Sequence, residues 1–185
     1  EMPASDEVIR NLSYKTQLTM DTMLSVDSVI TDSNLNLIKE KADEIRELPL
    51  YYCETTGNVE QIETTIDEFA NSNAAKGKKL IVSLDHTLLV DYLTERDEIA
   101  LVTAISKLFL KKRKAIDCMT IMISQLNADI EDQQRRSEDP RLAHLHYPIR
   151  KDIHGSKSVF RDADNVLVLH APAKLGISRY GKEKL

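Results

Sequence analysis

Two apolar runs in this sequence stop abruptly at polar groups. "KKLIVSL" runs into Asp85, and the run from Met119 to Ile123 stops at Ser124, Gln125 and Asn127. Packing gives no reason for a buried strand to end in a hydroxyl and two amides, whereas a site at the strand's carboxyl end does. In open α/β sheets, ligands bind outside the carboxyl ends of the strands. A carboxylate after a hydrophobic strand is the Walker-B pattern, suited to holding Mg²⁺ or its water shell beside nucleotide phosphates. A glutamine at the tip of a neighbouring strand can sense a γ-phosphate through a hydrogen bond. An acid at a strand end is common by itself. Its pairing with the glutamine strand, across a long intervening helix, gives it weight.

The elements that must position these groups follow from periodicity. Residues 5–16 read as a short helix with Ser5 as N-cap. Residues 33–47 place Leu35, Ile38, Ala42 and Ile45 on one helical face, with Pro49 just beyond. "LYYCE" at 50–54 reads as a short strand, and Val59, Ile62, Ile66 and Phe69 mark the next helix. Leu80, Ile81, Val82 and Leu84 form a near-continuous apolar run, the pattern of a strand covered on both faces. Thr94 with Asp97 then starts a long helix whose stripe is Ile99, Val102, Ile105, Leu108 and Phe109. Strands at 118–125 and 165–172 complete the set, separated by a polar stretch over 129–158 too long for a mere connection. Strands alternating with helices predict crossover units and a parallel sheet.

Composition narrows the function classes. A net charge of −5 over 185 residues excludes a basic nucleic-acid binder working by bulk electrostatics. Lys107, Lys111, Lys112, Arg113 and Lys114 crowd the end of the long helix, where a solvated face of cations favours the helix dipole. No membrane-spanning run or signal peptide is visible, so a cytoplasmic protein is expected. Cys53 and Cys118 lie in apolar runs and read as buried, reduced thiols. His144 and His146, near Asp139, lack a third metal ligand at clear spacing. Ser124 has no nucleophile motif around it, and Met119 and Met122 read as core. Asp162 and Asp164 mark either a turn or a functional placement. The opening Glu1-Met2-Pro3, without an initiator methionine, suggests a processed product or a piece.

Five segments, running nearly end to end in order and spacing, carry a family resemblance: "EMPASDEVIRNL", "ELPLYYCETTGNVEQIE", "LIVSLDHTLLV", "EIALVTAISKLFLKKRKAIDCMTIMISQLN" and "KDIHGSKSVFRDADNVLVL". The sequence resembles the ATPase domain of the DnaB-type bacterial replicative hexameric helicase. That resemblance implies an α/β, RecA-like P-loop NTPase core, a mainly parallel sheet flanked by helices, here truncated. Residues 1–185 would be one partial domain, with a helical lead-in over 1–49 and a sheet core over 50–185. Its DNA-facing loop region would be 129–162. By the same resemblance Glu1 polarises the attacking water, Asp85 supports Mg²⁺ and Gln125 senses the γ-phosphate of ATP. DNA contacts would come from His154, Gly155 and Lys157, with Arg135 and Arg136 in the same region. The family's Arg-Glu-Ser-Gly stands here as His154-Gly155-Ser156-Lys157, and His86 replaces a family tyrosine.

Two departures stand out. No G-x-x-x-x-G-K-[ST] phosphate loop occurs among only five glycines. Nor is the family's arginine-finger strand evident, since Arg179 and Lys182 are poor substitutes for it. The resemblance implies an ATP-driven motor on single-stranded DNA, a homohexamer when intact, with a primase and a helicase loader as partners and no membrane. This chain alone is expected to bind ATP poorly and not hydrolyse it. The alternative is a naturally shortened, non-hydrolysing module that binds DNA or a helicase subunit.

Overall fold

The amino-terminal stretch is helical: α1 (Ala4–Thr16), α2 (Met20–Leu24) and α3 (Asp32–Arg46). The computed structural model describes residues 3–27, 30–54, 57–95, 97–137, 139–153, 156–177, 179–180 and 183–184. They fall into two units, Glu1–Thr55 and Thr56–Leu185.

In the first unit the caps differ from expectation. Ser5 lies inside α1, and the N-cap is Pro3, whose carbonyl accepts from the Asp6 amide at 2.9 Å. α3 is capped by Thr31, whose hydroxyl accepts from the Asn34 amide at 3.2 Å. The short helix α2 was not anticipated; five residues hold too little periodicity to announce it. α1 and α3 are joined by Lys15, whose ammonium donates to Glu44 at 3.0 Å. No strand forms at 50–54: among the described residues nothing pairs with it, and Tyr51, Tyr52 and Cys53 are exposed. A strand exists only through its ladder, so an apolar run does not make one where no partner lies alongside.

The second unit is built on a parallel pair. β1 (Ile81–Leu84) and β2 (Met119–Met122) run in register from Ile81 opposite Met119 to Leu84 opposite Met122. The crossover between them contains α5 (Glu98–Ile116), while α4 (Val59–Ala70) precedes β1. Ile66, Val90, Leu101, Ile105, Leu108 and Phe109 form the core, with Val82, Leu84 and Met122 packed against it. The helices therefore cover one sheet face. Ile81, Met119 and Ile121 point the other way and are exposed, against the expectation of strands buried on both faces and of Met119 as core. Ile99, counted into the α5 stripe, is also exposed.

Local capping explains where the helices begin. Asn58 accepts from the Gln61 amide at 3.0 Å and Gln61 Oε1 accepts from the Asn58 amide at 2.9 Å, a reciprocal capping box for α4. Asn58→Ala should cost about 1 kcal/mol, measured as a shift in the urea midpoint. For α5 the cap is Asp97, accepting from Ala100 at 2.8 Å, and Thr94 takes no part.

The basic end of α5 is a solvated face at Lys107, Lys111 and Lys114, but not at Lys112. Lys112 is buried and its ammonium lies 2.6 Å from Asp67 and 2.8 Å from Glu63. Burial pushes its pKa down, but the two carboxylates outweigh that and raise it. Lys111 pairs with Glu63 at 2.7 Å and Arg113 with Asp164, so acids from other segments neutralise much of the cluster. Cys118 is buried as expected.

Beyond β2 the polar stretch is a chain of 3-10 turns, Ala128–Glu131, Gln133–Arg136, Pro140–Leu145 and Arg150–Asp152, followed by α6 (Ser156–Asp162). Residues 165–170 have no regular secondary structure and join no described ladder, and Leu167 and Leu169 are more than nine-tenths exposed. The strand expected at 165–172 is thus absent for the same reason as that at 50–54. A small antiparallel pair, β3 (Arg179–Tyr180) with β4 (Glu183–Lys184), comes last.

Candidate functional site

Because β1 and β2 are parallel neighbours in register, Asp85 and Gln125 leave the same sheet edge. The ladder continues past the strands: the Ile123 amide donates to Leu84 at 3.1 Å and the Thr87 amide to Ile123 at 3.2 Å. These two bonds bring the chain after Asp85 across the end of β2, where Thr87 is fully buried. The Asp85–His86 peptide is cis. Asp85 and Gln125 are both exposed. An exposed carboxylate and an exposed amide at one carboxyl edge fit a hydrated divalent cation and a phosphate oxygen respectively.

Asn127 does something different. Its amide donates to the Asp152 carbonyl at 2.6 Å and its side-chain Nδ2 donates to the Lys151 carbonyl at 2.8 Å. An antiparallel bridge joins Leu126 to Ile153. Thus one of the two amides that end the strand is an anchor for the turn at 150–152, and the other remains open at the edge.

Arg135 is turned inward. It is 8% exposed, and its guanidinium donates to Asp152 Oδ2 at 2.7 Å and to the carbonyls of Leu145 at 3.0 Å, Tyr147 at 3.3 Å and Asp129 at 3.5 Å. A guanidinium so engaged has no face left for a DNA phosphate, which corrects its expected role. Burial pushes the Asp152 carboxyl up, but the Arg135 guanidinium and the Ile149 amide, donating at 2.6 Å, outweigh it and hold the pKa below the ordinary range. Nothing in the sequence singles out Asp152, because an acid in a charged stretch looks solvated. Arg136 is half-exposed, with Glu131 3.5 Å away, and remains accessible to a ligand.

Most described residues of the region 150–162 are helical. Arg150–Asp152 is a turn, and α6 packs on α5 through Ser158 and Thr103, 2.9 Å apart, and through Ser106, which donates to Asp162 at 3.0 Å. The Arg150 guanidinium sits 4.9 Å from the centre of the Phe160 ring. Asp162 and Asp164 are therefore tied to α5, the latter through Arg113. Lys157 stands in the first turn of α6. Glu1, His154 and Gly155 lie outside the described residues. His144 is exposed, while buried His146 donates to the Ser137 carbonyl at 2.8 Å. Among the described residues no group of three or more acids, histidines or cysteines could hold a metal.

Residues 176–183 share the glycine and lysine spacing of a phosphate loop but end in Glu183 where that motif has a hydroxyl. A phosphate loop leads from a strand into a helix N-terminus. Here Arg179–Tyr180 instead pairs antiparallel with Glu183–Lys184.

Comparison with known proteins agrees with this architecture. One solved DnaB-like replicative helicase, studied with its interactions with primase, superposes with a TM-score of 0.72 at 19% identity over 89% of this chain. A solved ATPase domain gives a TM-score of 0.73, also at 19% identity over 89% of this chain. At such identity the likeness is one of fold, and the chain spans 37% and 54% of those two proteins. No curated protein matches. Among the described residues no helix is long and apolar enough to cross a membrane. The model of the DnaB-like helicase C-terminal domain family matches residues 1–183, and the chain belongs to that family.

Proposed function

We propose that this chain is part of a cytoplasmic replicative DNA helicase that couples ATP hydrolysis to movement along single-stranded DNA. The observation that carries the reading is that Asp85 and Gln125 follow the carboxyl ends of two paired parallel strands, in a chain of this family. Both units are read as parts of one RecA-like ATPase domain. Bound Mg²⁺·ATP supplies the phosphoryl group whose transfer to water releases the free energy. Asp85 would hold the water shell of the cation, Gln125 would hydrogen-bond the terminal phosphate, and Glu1 would take the proton of the attacking water. Arg136, His154, Gly155 and Lys157 would face DNA. The intact protein would work as a homohexamer, with a primase and a helicase loader as partners.

The test is ATP hydrolysis by the intact protein with and without single-stranded DNA. Asp85→Asn should lower kcat by about 10²–10³-fold, the usual loss when one preorganised electrostatic partner of the transition state is removed. Gln125→Ala should retain nucleotide affinity and lose DNA stimulation. Wild-type turnover in Asp85→Asn would sink the assignment. Residues 1–185 alone should bind ATP poorly and not hydrolyse it. The missing phosphate-loop motif keeps a second reading in play, a non-hydrolysing binding module. Single-stranded DNA binding that falls steeply with salt and needs no nucleotide would favour it.

A further inference from the structure

Asp152 is fully buried, and its Oδ1 has no hydrogen-bond partner among the described residues. Its Oδ2 is shared between the Arg135 guanidinium and the Ile149 amide, while its carbonyl holds the Asn127 amide. Arg135 in turn gathers carbonyls at 129, 145 and 147. One buried pair thus ties the exit of β2, two residues past Gln125, to three separate points of the polar stretch and to the turn that leads into α6. A buried ion pair regains little of its desolvation cost compared with apolar residues of the same shape. What it adds here is geometry, because a planar fork with four acceptors admits one arrangement.

We propose that Arg135 and Asp152 form a positioning joint: they hold the 149–153 segment in register with the strand end that carries Gln125. In this role Arg135 supports DNA binding through Asp152 and touches no phosphate. The inference rests on the functional reading above and reassigns one of its residues.

Single-stranded DNA affinity of the intact protein, measured across salt concentrations, separates the alternatives. A phosphate contact at Arg135 would survive Arg135→Lys, lose about one from the salt slope in Arg135→Gln, and gain affinity in Asp152→Asn, which removes a negative charge. The joint predicts the reverse pattern. Arg135→Lys, Arg135→Gln and Asp152→Asn should each weaken binding about tenfold or more with the salt slope unchanged. The double variant Arg135→Gln/Asp152→Asn should be no worse than either single one, as expected for coupled residues. Arg135→Lys keeps the charge and the bulk, so it answers the question even where the neutral variants fold poorly. Hydrogen exchange of the Asn127 and Ile153 amides should quicken in the same three variants and stay unchanged in Arg136→Gln. A wild-type protein without DNA affinity would remove the functional reading itself. A wild type that binds, with Asp152→Asn binding as tightly or more so, would overturn the joint alone.

Discussion

Asp152→Ala should remove about 3–5 kcal/mol from the stability of the segment between β2 and α6, the usual cost of leaving a buried charge without its partner. The stranded group is the Arg135 guanidinium, which is 8% exposed and has no other carboxylate bonded to it among the described residues. The loss would be seen as quickened hydrogen exchange and protease cleavage within residues 126–153, with a smaller change in α4 and α5. Replacing both partners by apolar residues, Arg135→Met with Asp152→Leu, should cost less than Asp152→Ala, since no buried charge remains. A double variant as unstable as the single one would contradict this account.

The same pair sets an acid limit. The folded pKa of Asp152 is lowered, so its contribution is fully present above the unfolded value, about 3.9, and is lost as pH falls through the lower folded value. Arg135 and Lys151 are the cations that favour the ionised form, and His170 has its pKa lowered by burial first, then by Arg135 and His146. Protection of the Asn127 and Ile153 amides should therefore hold through mildly acid solution and fail only below the ordinary carboxylate range. Asp152→Asn should abolish that transition.

Ile105→Ala should destabilise the second unit by about 2–5 kcal/mol, through lost apolar burial and the cavity left behind. Ile105 is wholly inaccessible, packed among Ile66, Leu101, Leu108 and Phe109 on the face of α5 turned to the sheet. Six residues earlier in α5 Ile99 is 62% exposed, so Ile99→Ala should stay within about 0.5 kcal/mol. Both belong to the same apolar stripe by spacing, and urea denaturation with an unchanged m-value separates them. Equal midpoints for the two variants would mean that the core is not where the structure has it.

That contrast shows what was legible in the sequence. Periodicity sufficed for α3, α4, α5 and β1 within a residue or two, and for the start of β2, which ends three residues before the expected Gln125, because a helix face and an apolar run are written locally. The same local signal put Asp85 and Gln125 at strand tips, and the crossover through α5 brought the two tips together. The outcome for 50–54 and 165–172 was not local, since a strand needs a partner, and these apolar runs have none among the described residues. Nor was the fate of single charges. Arg135 and Arg136 are adjacent and chemically alike, yet one turn of backbone buries the first against Asp152 and leaves the second half-exposed. Lys112 and Lys111 divide the same way over α4. Residue types and spacing determined the elements and the chemistry offered at the sheet edge. Which polar groups face a ligand and which face one another was decided only by tertiary packing, because a charge is buried wherever residues distant in sequence satisfy its hydrogen bonds.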